Sequence, residues 1–297
     1  MRIAVIDIET FGDLENMSYL DYKYLRLRGG EKTDEGVEQS LAFNPYLLHI
    51  ISVAITYLEG KDIIEGKVYY LSDSQEEEKK EQLESEGRTI PVSYCPIRSS
   101  PLRQEISCGE REMLLRFWEE ISAIDRLVTY NGRSFDVPIL CIRSMIHQIE
   151  VKREILAARY QKFGNFHLDL IEFLAGQEGR FSFQLDFVCR KFGIPVKKIM
   201  DGSKVRDTFL KGDYRAIAEY NYYDTLMTAL LYLKVAPYLP EENNRPTEKQ
   251  LNFLESLMLG DGWDAPVIQR IFTLLQESGI FTRDNVSKLI DYLKSSR

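Results

Sequence analysis

Short apolar runs dominate the first third of the chain, and longer stretches of helical period dominate the rest. Ile3–Ile8 is an apolar run interrupted by Asp7 and closed by Thr10, Gly12 and Asp13, which predicts a strand. His49–Tyr57 (HIISVAITY) predicts a second strand and Lys67–Leu71 (KVYYL) a third, in meander order. Residues from Leu14 to Pro45 are polar and tyrosine-rich and show no clear period. Within them, Tyr19–Arg28 (YLDYKYLRLR) mixes aromatic and basic residues, which suits nucleic acid and equally a surface helix. Asp73–Gly87 is a charge run and reads as a solvated loop or exposed helix. The continuation to Gly109, with Pro91, Pro96 and Pro101, reads as irregular surface.

From there the period changes. Glu110–Ile121 places Met113, Leu114, Phe117 and Ile121 on one helical face, with Trp118 expected in the core. Leu127–Tyr130 predicts a short buried strand. Val137–His147 predicts a helix that tolerates Pro138 in its first turn. His167–Leu174 and Ser182–Phe192 predict short helices, the second stopped by Gly193 and Pro195. Tyr214–Leu233 predicts a long amphipathic helix ending before Pro237. Strands first and strand–helix units afterwards indicate an α/β fold, a mixed sheet with helices packed on it.

After Pro237 the composition shifts, and residues 237–246 (PYLPEENNRP) read as a linker. Thr247 and Gln250 fit a capping box that opens a helix with Leu251, Leu254, Leu257 and Met258 on its apolar face. Pro266 and Gly279 frame a second helix, and Arg283–Leu293 gives a third. Three short helices bury little surface alone, so this 247–297 module is expected to pack on the main domain, 1–236, or on a protein partner.

Composition changes this picture little. With 44% hydrophobic and 28% charged residues, the 297-residue chain is an ordinary soluble one with ample core material. No run reaches the length of a membrane span and no export signal opens it, so no membrane association and a cytoplasmic location are the expectations. Of the four cysteines, none forms a C-x-x-C pair, which argues against zinc. Cys141 and Cys189 sit among apolar residues and read as buried free thiols. The net charge of −8 speaks against a broad non-specific grip on nucleic acid. It leaves room for a local basic surface or a metal site.

The acids carry the candidate chemistry. In a strand, residues two apart share a face, so Asp7 and Glu9 point the same way. Two carboxylates this close resist ionising together unless a cation lies between them. Hard oxygen ligands favour Mg²⁺ or Mn²⁺. Alone, the pair is equally two solvent-facing acids at a strand end. In Val128–Leu140 (VTYNGRSFDVPIL), a strand runs into the turn dipeptide Asn131-Gly132, and Asp136 arrives at a helix start. There it is either an N-cap or part of a nucleotide site, with Asn131 and Phe135 beside it. In Glu219–Thr225 (EYNYYDT), Tyr220 and Asp224 lie four apart on one helical face, exposed or functional.

D-x-E on the first strand, N-G-x-x-F-D after a later strand and Y-x-x-x-D on a late helix together resemble the DEDD superfamily of 3′–5′ exonucleases. The branch is the tyrosine one, with a DnaQ-like, RNase H-like fold, and the best match is the proofreading exonuclease module of family B DNA polymerases and its stand-alone relatives. Residues 186–205 (DFVCRKFGIPVKKIMDGSKV) and the GDYRAIAEYNYYD after them look like that group too. The resemblance spans about residues 1–236 and fades over 14–45 and 72–109, which read as insertions; no polymerase portion follows. It implies that Asp7, Glu9 and Asp224 bind one divalent ion. It implies also that Asp7 touches a second, held by Asp136 directly or through water, and that Tyr220 orients the attacking water. His167 lies far before Asp224 and reads as packing or a cap. Two Mg²⁺ or Mn²⁺ ions roughly 4 Å apart activate a water and stabilise both attacking and leaving oxygens.

Lys197, Lys198, Lys204, Arg206, Lys211 and Arg215 form a basic stretch that tracks the phosphates of a single strand or, with Asp201, Asp207 and Asp213 interleaved, is a mixed-charge surface. Phe11 and Phe135 are candidates for stacking on terminal bases as well as for local packing. Thr10 offers its backbone to the terminal nucleotide and Asn131 a hydrogen bond to a sugar or base. The expected activity is metal-dependent 3′–5′ hydrolysis of single-stranded DNA. An exoribonuclease is served equally by the same acids, and a non-catalytic nucleic-acid-binding accessory is the alternative of another class.

Overall fold

The structure is a computed structural model that describes residues 1–14, 17–28, 33–41, 43–74, 76–99, 105–152, 155, 166–175, 183–196, 200–239, 246, 248–260, 262–277 and 283–295. Pro101, Lys197 and Lys198, most of the expected linker, Thr247 of the expected capping box and Gly279 fall outside these residues. The chain divides into two compact units, Met1–Tyr232 and Leu233–Arg297.

In the first unit the described residues form a seven-stranded sheet in the order β4-β5-β3-β2-β1-β6-β7. The strands are β1 (Arg2–Gly12), β2 (Leu48–Glu59), β3 (Asp62–Ser72), β4 (Lys79–Ser85), β5 (Arg88–Arg98), β6 (Arg126–Thr129) and β7 (His167–Asp169). β1 pairs antiparallel with β2 and parallel with β6, so the sheet is mixed. Between β1 and β2 lie α1 (Tyr19–Leu27) and α2 (Asp34–Leu41). The later helices are α3 (Glu105–Glu120), α4 (Asp136–Ile146), α5 (Leu170–Ala175), α6 (Leu185–Lys191), α7 (Val205–Leu210) and α8 (Tyr214–Val235). This is the α/β mixed sheet flanked by helices that the order of elements indicated.

Three expectations are corrected. Over Arg88–Arg98 the proline-bearing stretch is not irregular surface: β5 pairs with β3 in parallel and with β4 antiparallel. Its prolines fall where only one neighbour is present. Pairing with β3 begins at Val92, after Pro91, and pairing with β4 ends at Tyr94, before Pro96, so neither missing N–H interrupts two ladders. The charge run is neither loop nor helix over Lys79–Ser85 but an exposed edge strand, where charges discourage pairing with other chains. His167–Asp169 is a strand paired with β6, and the helix begins only at Leu170. A three-residue strand is too short to show its period in the sequence. One further departure concerns α8, whose residues 225–232 are buried without a break. Its C-terminal half is therefore enclosed by protein rather than amphipathic.

Side-chain alternation sorts the helices onto two faces. On one, Tyr57, Tyr69 and Lys67 all reach Glu120 of α3, by hydrogen bonds of 2.9, 2.8 and 2.6 Å. On the other, Ser52 donates to Asn221 at 3.2 Å and Thr56 to Thr225 at 3.1 Å. These buried polar pairs fix the position of α8 along the sheet, since a shift would cost Ser52, Thr56 and the Asn221 oxygen their bonds across it. Gly66 of β3 allows the close approach: a Cβ there would stand 2.2 Å from Cε2 of Tyr222.

The second unit has α9 (Glu248–Gly260), α10 (Ala265–Glu277) and α11 (Arg283–Ser295). Leu254, Leu257, Met258, Ile268, Phe272, Val286 and Ile290 form its core.

Candidate active site

Asp7 pairs with Ala54 and Glu9 with Ser52 across the β1–β2 ladder. Directly opposed residues share a face, and Ser52 bonds α8. Asp7 and Glu9 therefore look at α8, which presents Tyr220, Asn221 and Asp224. One carboxylate oxygen each of Asp7, Glu9 and Asp224 lies within 4.8 Å of the others. A β-bulge between Glu9 and Thr10 turns the strand just past the pair.

Asp136 comes from the opposite side. It is the first residue of α4, with Phe135 and not Asp136 at the N-cap. Its Oδ1 accepts the N–H of Ile8 at 3.1 Å, between the two acids of β1. Its carboxylate also accepts its own backbone N–H, so it serves the first turn of α4 and at the same time ties that helix to β1.

Burial raises all four carboxylates, and charges within the cluster add to it at Asp7, Glu9 and Asp136, while Asp186 adds to it at Asp224. Burial first, then the charges of Asp136, Asp224 and Glu9, hold Asp7 well above the usual carboxylate range. Glu9 is raised likewise, by burial and then by Asp224 and Asp136. Asp136 is pushed up to about 7 and Asp224 to about 6, with burial the leading cause in both. The principal opposing groups are neutral dipoles. Asn221 Nδ2 donates to Asp7 Oδ2 at 2.7 Å, Tyr220 bonds Asp224, and the backbone N–H groups of Asp136 itself and of Ile8 serve Asp136. The cluster thus holds excess negative charge, oriented by donors and not neutralised by them. Such an oxygen-only donor set fits a divalent cation of the Mg²⁺ or Mn²⁺ kind.

Tyr220 is half-buried, and burial followed by Asp224, Glu9 and Asp7 raises its hydroxyl far above the ordinary tyrosine value. It stays protonated at any working pH. None of the three histidines acts on the acids. His49 and His147 bind Glu110 Oε2 at 2.9 and 3.0 Å, and buried His167 bonds Thr129 Oγ1 at 2.9 Å. Burial pushes the His167 imidazole down to about 3, so it packs as a neutral ring.

Of the expected substrate contacts, Asn131 is exposed with φ +67°, a left-handed turn conformation that asparagine tolerates. Phe135 is half-buried and meets exposed Phe43 edge-on at 6.0 Å. Phe11 is buried, its ring 4.7 Å from Phe209 of α7. Thr10 is half-buried beside the bulge. Lys204 is exposed and Arg206 half-buried, on the turn and helix that lead to Phe209.

Three supporting residues escaped sequence reasoning. Asp169 accepts from the N–H groups of Asn131, Arg133 and Ile171 at 2.7, 2.8 and 3.2 Å, fixing the turn that delivers Asp136. Asn221 sits one residue past Tyr220, a position whose polarity inside a helix was the available signal. Glu110 accepts from Arg143 at 2.7 and 2.6 Å and from the N–H of Ile50 at 3.0 Å, tying α3 and α4 to the start of β2. Burial favours its neutral form, yet the bonds from His147, His49 and Arg143 outweigh this and hold it well below the ordinary value. No residue near Glu110 in sequence betrays that role.

Residues 97–269 match the model of a family described as a predicted 3′–5′ exonuclease related to the exonuclease domain of PolB. Asp136, Tyr220 and Asp224 lie inside the match, and Asp7 and Glu9 precede it. DNA polymerase 1 of Sulfolobus acidocaldarius is 29% identical over 140 residues, which cover 43% of this chain and 15% of that protein. The family B DNA polymerase of Pyrobaculum calidifontis superposes with a TM-score of 0.43 at 17% identity, over 86% of this chain and 26% of the polymerase. The chain thus spans only a small part of either relative.

Proposed function

The chain belongs to the family of predicted 3′–5′ exonucleases related to the exonuclease domain of PolB, and from that premise we propose that it is a metal-dependent 3′–5′ exonuclease of the tyrosine branch acting on single-stranded DNA. The observation that carries the reading is the convergence of Asp7, Glu9 and Asp224 within 4.8 Å, with no cation, among the described residues, in the set of groups that principally steady them. Asp7, Glu9, Asp224 and Asp136 would hold two divalent ions. When bound, these supply Lewis-acid stabilisation of a phosphodiester and a water activated at neutral pH.

The chain's own residues set the rest. Asn221 and the Ile8 N–H orient Asp7 and Asp136, so their oxygens converge before any ligand arrives. Tyr220, protonated and bonded to Asp224, positions an attacking water by hydrogen bonding and does not remove its proton. That no histidine acts on the cluster supports assigning this role to the tyrosine. The reaction adds water across the phosphorus–O3′ bond: hydroxyl to phosphorus, proton to the leaving oxygen, and a 5′-mononucleotide released.

The test presents end-labelled single-stranded DNA, single-stranded RNA and duplex, with free or blocked 3′ ends and Mg²⁺ or Mn²⁺. A ladder from single-stranded DNA that 3′ blocking abolishes is expected. A ladder from RNA alone reassigns the polymer, and cleavage of closed circles or absence of any cleavage refutes the exonuclease.

A further inference from the structure

The acid cluster leaves unused the helix that follows it. The inner side of α1 is anchored by Leu25, buried with Val37 and Leu41 of α2. Its outer side is not apolar-poor surface, as solvation would favour. Tyr19 is 73% exposed, Leu20 75%, Tyr24 57% and Leu27 59%, with Lys23 and Arg28 exposed among them. At successive turns of one helix these six form a single stripe, and the last five line a shallow depression. The Arg28 guanidinium lies over the Tyr24 ring at 5.9 Å. The one acid of α1, Asp21, is engaged by Ser18 at 2.6 Å. A chain of net charge −8 thus presents here a stripe of rings and cations whose six residues include no carboxylate.

The helix pair is fastened to the elements of the acid cluster. Leu41 packs on Gly12 at the end of β1, where a Cβ would come within 2.7 Å of it. Phe43, 72% exposed, meets Phe135, the residue before Asp136.

The chemistry of the stripe selects its occupant. Bases stack on rings whatever their sequence while phosphates pair with interleaved cations. A two-fold contact between copies would instead set Lys23 and Arg28 of one against those of the other, because the same patch serves both. We propose that the outer face of α1 is a docking surface for single-stranded nucleic acid, holding the strand upstream of the end that enters the acid cluster. The placement upstream rests on the exonuclease reading; the binding itself does not.

The test uses the full chain, Tyr19→Ala/Tyr24→Ala and Lys23→Gln/Arg28→Gln. All four residues are exposed, so the anchoring through Leu25 persists. Anisotropy of a fluorescent oligothymidylate of about 20 nucleotides is measured in chelator, where no cleavage occurs. The aromatic pair, removing two stacked bases, should weaken binding about 30-fold or more. The cationic pair should flatten the slope of log K against log salt by about 1.4, two phosphates at about 0.7 each. With Mg²⁺ or Mn²⁺, KM for the long strand should rise while kcat and the rate on a trinucleotide hold. A wild type that binds through this face yet never cleaves sinks the exonuclease and upholds the docking surface. A wild type that does not bind, or variants with unaltered affinity and salt slope, overturn the docking surface. So does a dimer, detected by sedimentation, that these substitutions dissolve without touching oligonucleotide binding.

Discussion

Asp136→Asn separates the charge of the cluster from its shape. Asparagine keeps an Oδ1 to accept the Ile8 N–H, so the bond from β1 to α4 survives. What disappears is a carboxylate that burial, with Asp169 and Asp224, pushes up to about 7 from an ordinary 3.8. At about 1.4 kcal/mol per pH unit, keeping it ionised at pH 8 costs the metal-free fold on the order of 4 kcal/mol. The sign follows from proton binding. Between the two values the folded chain holds a proton that the unfolded chain has released, so stability falls as pH rises from about 4 to about 7 and then levels off. Loss of a negative charge in the first turn of α4 works the other way by about 0.3–1 kcal/mol. For a unit of this size 1 kcal/mol moves the melting temperature by about 2–4 °C. In chelator at pH 8 the asparagine variant should therefore melt up to about 10 °C above wild type, and at pH 5.5 by about half as much. Saturating Mn²⁺ should raise wild type far more than the variant, and the variant should not cleave. The assay is thermal denaturation across pH with and without metal, beside the gel assay. Equal melting in chelator at pH 8, or a variant less stable than wild type at every pH, would refute the idea that the acids hold unbalanced charge.

Tyr220→Phe keeps the ring and removes the hydroxyl that Asp224 holds; kcat should fall about 10²-fold with oligonucleotide affinity in chelator unchanged, by single-turnover kinetics and anisotropy. Glu110→Gln leaves Arg143 buried without its counter-charge, so the chain should lose about 3 kcal/mol or more, read from urea denaturation. Gly66→Ala drives a methyl within 2.2 Å of the Tyr222 ring; a loss of about 1–3 kcal/mol is expected, recovered in part by Tyr222→Leu. Asp7→Ala should abolish cleavage with the circular-dichroism spectrum of the fold retained; full activity would sink the mechanism.

Asp7, Glu9 and Asp224 were legible because each sits on an element whose period is strict, whereas Asp136, at a helix start, entered only through the motif. Asp7 and Glu9 share a face for the reason any residues two apart in a strand do, and Tyr220 and Asp224 because four residues are about one helical turn. The same rule failed where an element was too short or too hemmed in to show a period. His167–Asp169 has three residues, and β5 carries prolines that usually mark a break. Both are strands because a neighbour already in place supplies the ladder: β6 for one, β3 for the other. Sequence records a strand's propensity and not the edge that waits for it. Glu110, Asp169 and Asn221 were illegible for another reason. Apart from Ile171, two residues from Asp169, the partners named for them lie 33 to 214 positions away along the chain, a distance at which no spacing rule operates.

These supporting residues also explain how the fold tolerates its acid cluster. Four carboxylates on β1, α4 and α8 oppose folding through desolvation and mutual repulsion. The elements that carry them are tied elsewhere by hydrogen bonds that are neutral or charge-compensated, except those of Asp169, whose own charge adds to the rise at Asp136. Ser52–Asn221 and Thr56–Thr225 hold α8 against β2, Glu110 with Arg143 holds α4 against α3, and Asp169 holds the turn ahead of α4. Asn221 belongs to both sets, since its carbonyl oxygen accepts from Ser52 while its amide donates to Asp7. One side chain thus registers the helix on the sheet and aims a carboxylate at the cluster. Asn221→Ala should accordingly lower stability and metal affinity together. Asn221→Asp, which keeps the size but sets a fifth carboxylate against Asp7, should reduce metal-free stability more steeply at pH 8 than at pH 5.5. If both substitutions changed stability alone and left the Mn²⁺-induced rise in melting temperature intact, Asn221 would be a packing residue only.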